Sequence, residues 1–219
     1  MKPNSFQAIA PYYDFLAKIV FGQNILRAQK VFLDRLPKHA NILFVGGGSG
    51  EIMSDLLYQA QPKRITYIEA SSAMLARAKK GYQKISHHIK SDTHVEFICG
   101  TEAQIPSGTL YDAVLTFFVL DVYNSNEAKL MVTKLSYILK DKGEWLFADF
   151  TKEGKGISRL WKTVMLKLMY KFFSLSSGLK NQSLPDFTEV FQSIGYMPFQ
   201  ERFFYHRFIR SALYRKVVV

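Results

Sequence analysis

An α/β fold with a mostly parallel sheet is predicted by three observations. Residues 42–51 read Ile-Leu-Phe-Val-Gly-Gly-Gly-Ser-Gly-Glu, an apolar run that breaks into glycines and restarts as a helix. From residue 41 to residue 150, short apolar runs alternate with segments of helical apolar spacing, the rhythm of strands joined by right-handed crossovers. Two further strand-like runs, roughly 197–204 and 207–215, lie so close in sequence that an antiparallel hairpin is natural.

Taken in order, residues 6–36 carry helical spacing and stop at Pro37. Strands are expected at 41–46, 64–69, 94–99, 111–118 and 143–150, with helices between them at 51–60, 72–86 and 125–140. Ser71 suits the N-cap of the second helix, and Gly143 follows the last. A long helical pattern then covers 157–173, a polar loop with Gly178 and Pro185 covers 174–186, and a short helix over 187–194 ends at Gly195. The expected organisation is one domain over 1–219: a helical cap (1–38), a core (39–150), a helical insertion (151–186), and a closing helix and hairpin (187–219).

Apolar residues make up 48% of the 219, enough for a substantial core and too many for disorder. No apolar run reaches the ~18 residues of a membrane span, and residues 1–7 lack the apolar stretch of a signal peptide. The one cysteine, Cys99, excludes an intramolecular disulfide and a multi-cysteine zinc site, and is expected to be a small buried residue. The scattered histidines show no ligand spacing. A cytoplasmic location is expected. Charge is uneven: residues 152–219 hold 12 Lys/Arg against 4 Asp/Glu, and residues 1–151 hold 17 against 14. A basic C-terminal third suits a solvated face, a nucleic acid, an anionic lipid surface or an acidic substrate.

Gly46, Gly48 and Gly50 form G-x-G-x-G at the end of the first strand. Glycine accepts positive φ and lets a ligand approach the backbone. The helix that follows aims unpaired amides at the same space. The second strand delivers Glu69 to that edge, where a carboxylate can accept both hydroxyls of a ribose. Strand, glycine turn, helix, strand and acid together mark a nucleoside cofactor site.

Four further segments appear in a telling order. They are Glu69-Ala70-Ser71-Ser72-Ala73-Met74-Leu75, the loop Phe97 to Pro106, Tyr111-Asp112-Ala113-Val114-Leu115-Thr116, and Leu139-Lys140-Asp141-Lys142-Gly143-Glu144-Trp145-Leu146. Over roughly 40–150 the chain resembles the class I S-adenosylmethionine-dependent methyltransferases. Tyr13-Asp14 and the tail from Gly195 to Lys216 are also similar to the small-molecule, quinone-biosynthesis-type branch. The resemblance implies a Rossmann-like seven-stranded sheet, with five parallel strands, a closing hairpin that inserts one antiparallel strand, and helices on both faces. It implies S-adenosylmethionine as cofactor, held by Gly46, Gly47, Gly48, Gly50, Glu69, Ala70 and Met74. Thr101 and Glu102 lie where the adenine needs an acceptor. The sulfonium is a cation and favours aromatic faces, which Tyr12, Tyr13, Phe117 and Phe118 can supply. Two positions depart from the family pattern: Phe44 stands where an acid is frequent, and Thr101 where Asp is frequent.

Methyl transfer is an in-line displacement in which positioning does most of the work. The acceptor is expected near the ends of strands four and five, beside Thr116, Asp121, Tyr123 and Asp149. Asp121 follows the apolar run Phe117 to Leu120, so desolvation would raise its pKa and suit it to base chemistry. Its alternatives are a helix cap or a solvated acid. No Asn/Asp-Pro-Pro-aromatic motif follows strand four, no cysteine stands there as nucleophile, and no Asp/Asn metal cluster is evident. The expectation is metal-independent transfer to a small, apolar or aromatic acceptor. The alternatives are an RNA-directed methyltransferase and a non-catalytic S-adenosylmethionine-binding protein. Finally, Ile157, Leu160, Trp161, Val164, Met165, Leu168, Met169 and Phe172 form one apolar stripe, with Arg159, Lys162, Lys167 and Lys171 off it. This helix is expected to be a lid or wall of the acceptor pocket; core packing, a dimer contact or peripheral membrane contact are the alternatives.

Overall fold

The computed structural model describes residues 21–86, 88, 89, 92–153, 160–167, 169 and 183–217. Tyr12, Tyr13, Ile157, Leu168, Phe172 and Gly178 therefore lie outside the described residues. One seven-stranded sheet organises the rest, in the order β3-β2-β1-β4-β5-β7-β6. The strands are β1 (Asn41–Val45), β2 (Arg64–Glu69), β3 (His94–Cys99), β4 (Tyr111–Phe117), β5 (Leu139–Phe150), β6 (Tyr196–Phe204) and β7 (Ile209–Lys216). The first five run parallel, and β7 enters antiparallel between β5 and β6. The chain steps outward from β1 to β3, then returns to place β4 on the other side of β1. Ligands bind at such a reversal, beyond the carboxyl ends of the strands.

Helices cover both faces because β1, β2 and β4 are buried on both sides. One face packs α1 (Asn24–Lys30), α2 (Met53–Ala60) and α3 (Ser72–Ser86) over Phe44, Tyr67, Leu115 and Phe150. The other packs α4 (Ser125–Ile138) and the short α6 (Phe187–Gln192) over Leu43, Val114, Phe147 and Tyr214. Two buried hydroxyls of β2 and β4 are paired within the sheet: Trp145 donates to Thr116 at 2.8 Å, and Tyr111 to Thr66 at 3.2 Å.

Four expectations need correction. The helix before β5 ends at Ile138, not at residue 140, and β5 begins at Leu139. Register then jumps from the Tyr111–Leu139 pair to Ala113–Glu144, so Gly143 lies in a backbone irregularity rather than at a helix end. Its cap also differs: Asn124 accepts the amides of Asn126 and Glu127, and Glu127 reaches back, so Asp121 is not a capping residue. Cys99 is exposed because β3 is the outer strand of the sheet.

The fourth correction concerns α5, helical over 160–167. Trp161, Met165 and Met169 pack against the core, as one side of the stripe requires. Leu160 and Val164 are exposed, whereas Leu166 and Lys162 are buried. Lys162 turns inward because its ammonium donates to the carbonyls of Glu153 and Arg207, the latter at 2.9 Å. Trp161 packs on Phe208 at 5.3 Å. The described part of this helix therefore packs one side against the core and leaves Leu160 and Val164 outward. No described helix is long and apolar enough to cross a membrane.

Candidate active site

The glycine loop is built against β2. Gly46 and Gly47 both donate to the carbonyl of Ile68, at 2.9 and 3.2 Å. Gly48 donates to Oε2 of Glu69 at 2.9 Å, and Ser71 donates to Oε1 at 2.7 Å. The amides of Gly46, Gly47 and Gly48 therefore shape the loop. Glu69 is buried at 8% exposure and grips the loop and the start of α3 at once. Ser71 Oγ accepts the Met74 amide at 3.3 Å, the cap the sequence predicts.

Each glycine has its own reason. A Cβ on Gly47 would lie 2.2 Å from the Tyr67 ring, and one on Gly46 would lie 2.6 Å from Val119. A Cβ on Gly50 would lie 3.0 Å from Ala78. Among the described residues, nothing lies within 4 Å of a Cβ built on Gly48, which takes φ +65°. Its outer side is open space of the kind a cofactor would fill. The Val119 contact also ties the loop to the exit of β4, so the two halves of the site touch.

Tyr67 is the residue that sequence reasoning missed. Its ring supports Gly47, and its hydroxyl donates to the Gly48 carbonyl at 3.0 Å. Phe44 packs edge-on against Tyr67 at 5.1 Å and against Phe117 at 5.6 Å. Tyr67 supplies a polar support under the loop where Phe44 supplies none. A tyrosine between Thr66 and Ile68 in a buried strand, two positions before the acid, is the signal that could have found it.

The remaining sites divide. Ala70 is exposed and Met74 is half-buried beside the loop. Thr101 is exposed and caps the turn Glu102–Gln104, with Gln104 completing a capping box. Glu102 is half-buried, 3.8 Å from Lys134. The Phe117 ring is 3% exposed and belongs to the core. Phe118 is half-buried, takes a left-handed φ of 53°, and turns the chain out of the sheet. Its ring meets Phe150 at 5.1 Å. Left-handed backbone in a bulky residue gathers at functional sites. Tyr13 lies outside the described residues.

Two buried acids stand at this edge, Asp149 at the end of strand β5 and Asp121 just past β4. Asp121 is 6% exposed and Asp149 is fully buried. Asp149 Oδ2 accepts the Asp121 amide at 3.2 Å, and Oδ1 accepts the Phe150 amide at 2.8 Å. Burial pushes the Asp121 carboxyl up to about 7. Burial, and then the charge of Asp121, hold Asp149 well above the usual carboxylate range. Tyr123, two residues on, is pushed up to about 12 by burial and by Glu102 and Glu127. Among the described residues no three His, Cys, Asp or Glu side chains gather as a metal site.

Residues 42–143 match the family described as a methyltransferase domain. Over this stretch, from β1 into β5, the chain is similar to methyltransferase domains. Solved structures share its fold. The mitomycin 7-O-methyltransferase superposes with a TM-score of 0.63 at 17% identity, covering 90% of this chain and 55% of the other. A cyclopropane synthase from Mycobacterium tuberculosis gives 0.63 at 13%, covering 81% and 62%. The 1,6-didemethyltoxoflavin-N1-methyltransferase of Burkholderia thailandensis gives 0.62 at 12%, covering 100% and 92%. The chain thus spans little more than half the length of the first two. No curated protein matches the sequence. The glycine loop and Glu69 occupy the reversal between β1 and β4, and the acid pair closes the same edge.

Proposed function

We propose that the protein transfers a methyl group from S-adenosylmethionine to a small, apolar or aromatic acceptor, without a metal ion. The observation that carries the reading is the Glu69 grip beneath an open Gly48. Glu69 stands at the carboxyl end of β2, where a ribose diol can donate to its carboxylate. The loop from Gly46 to Gly50 together with Ala70 and Met74 lines the cofactor, and Thr101 and Glu102 border its adenine. The methionine carboxylate takes the entry of α2, because the earlier loop amides are already engaged. The cofactor, when bound, supplies an electrophilic methyl group on a sulfonium. Asp121 holds or receives the acceptor's proton, a role its raised pKa suits near neutral pH. Asp149 fixes the loop that carries it.

Thermal unfolding tests the reading. S-adenosylmethionine or S-adenosylhomocysteine should raise the Tm and NAD should not, with about 2.7 kcal/mol gained at a hundredfold excess over Kd. Glu69→Ala, compared with its own ligand-free Tm, should lose most of the shift. A full shift in that variant would remove the cofactor from this pocket.

A further inference from the structure

Beside the acid pair lies a cavity of about 460 Å³, a size typical of small-molecule sites. Phe150 at the exit of β5 forms one wall, and Leu184, Pro185 and Phe187 at the entry of α6 form another. Arg210 of β7 completes it. Asp149 and Arg210 are ladder partners, and Asp149 holds the Asp121 amide. The cavity therefore continues the row of strand ends that begins at β4.

Arg210 is the polar centre. Its side chain is 5% exposed. A guanidinium carries five N–H donors and keeps its proton. Nε and one terminal nitrogen meet the same oxygen of Glu201 at 3.0 Å, and the other terminal nitrogen meets Thr188 Oγ1 at 2.7 Å. Three donors are engaged, which leaves one on each terminal nitrogen. That pair matches the two oxygens of a carboxylate. The acids that share the cavity are occupied elsewhere: Asp186 caps α6 through the amides of Thr188 and Glu189, and Glu153 pairs with Arg207 at 3.2 Å. Lys152 adds a second cation to the lining.

We propose that this cavity seats the acceptor, and that Arg210 receives a carboxylate on an aryl body that lies against Leu184 and Pro185. The word acceptor rests on the methyl-transfer reading above; the cavity's choice of an aryl carboxylate does not. The test is a titration of the full chain with 2-naphthoate and with 2-naphthamide, by calorimetry or ligand-observed NMR. Naphthoate should bind at least tenfold tighter than the amide, less so in high salt. Arg210→Met should weaken naphthoate at least tenfold and bring the two probes level. Because Arg210 is buried, Leu184→Trp serves as the second variant: it narrows the cavity, leaves the Arg210–Glu201 pair alone, and should weaken both probes with little change in Tm. Equal binding of acid and amide to the unaltered protein, binding of neither, or naphthoate binding retained in both variants would overturn the proposal. If naphthoate binds as expected while S-adenosylhomocysteine leaves the Tm unmoved, the methyl-transfer reading fails and the cavity assignment stands. The reverse pattern fails the cavity alone.

Discussion

Replacing Asp121 by asparagine should make the protein more stable and less active, and the size of the gain follows from burial. The Asp121 carboxyl rises from 3.8 to about 7 in the folded chain. Below pH 4 both folded and unfolded states hold the proton, and the group does not affect the balance. Between about pH 4 and 7 the unfolded carboxyl ionises while the folded one keeps its proton. The folded state then binds more protons, so stability falls as pH rises through that window. At 1.36 kcal/mol per pH unit, the loss is up to about 4 kcal/mol and is complete above pH 7. Asp149, whose carboxyl is also raised, contributes a fall in the same direction. Urea unfolding at pH 5 and at pH 8 measures it. Asp121→Asn should recover about 2–4 kcal/mol at pH 8, the lower figure allowing for an amide that meets fewer partners than the acid. It should recover less at pH 5. Turnover should drop by roughly a hundredfold or more, as for a lost general base, with cofactor affinity nearly unchanged. A parent protein that gains stability between pH 4 and 7, or a variant equally destabilised at both pH values, would refute the buried-acid argument. Loss of cofactor affinity in step with turnover would place Asp121 in the cofactor site.

The glycine loop gives a paired test. Gly48→Ala carries only the left-handed backbone strain of about 1–2 kcal/mol and no clash, so calorimetry should show weakened S-adenosylhomocysteine binding in a folded protein; unchanged binding would mean that nothing occupies the space outside Gly48. Gly47→Ala drives a Cβ into the Tyr67 ring and should instead lower the Tm by several degrees. Tyr67→Phe removes one hydrogen bond to the Gly48 carbonyl; about 1 kcal/mol of stability and a severalfold loss of cofactor affinity are expected, from denaturant unfolding and titration. In α5, Leu166→Ala should cost about 2–5 kcal/mol as a core cavity, while Leu160→Ala, at 65% exposure, should stay within about 0.5 kcal/mol; equal losses would contradict the rotation of this helix described above.

The parallel core was legible because its signals are local. Glycines, a strand-end acid and Ser71 act within a few residues of themselves, and α3 occupies 72–86 as its spacing predicts. What escaped depends on neighbours distant in sequence. Asp149 is an orienting acid only because β4 and β5 end side by side. Cys99 is exposed only because β3 has no outer neighbour. Lys162 reads as a solvated residue off an apolar stripe, yet two carbonyls from elements 9 and 45 residues away draw it inward. The basic C-terminal third shows the same limit. Arg207, Arg210 and Arg215 pair with Glu153, Glu201 and Glu144, and Arg207 and Arg215 also lie over Phe203 and Phe199. Three of the 12 cations in this third therefore serve the hairpin, which no count of charges reveals.

The insertion of β7 between β5 and β6 also bears on how the chain is made. β5 is synthesised by residue 150, but the strand that pairs with its far edge begins at residue 209. At about 5–20 residues per second, the ribosome takes roughly 3–12 s to reach that strand. For that time Trp145 to Phe150 form an open edge with no charge except Asp149. Unpaired apolar edges template association with other chains. A nascent chain stalled before residue 209 should therefore be a chaperone client, and one carried past β7 should not.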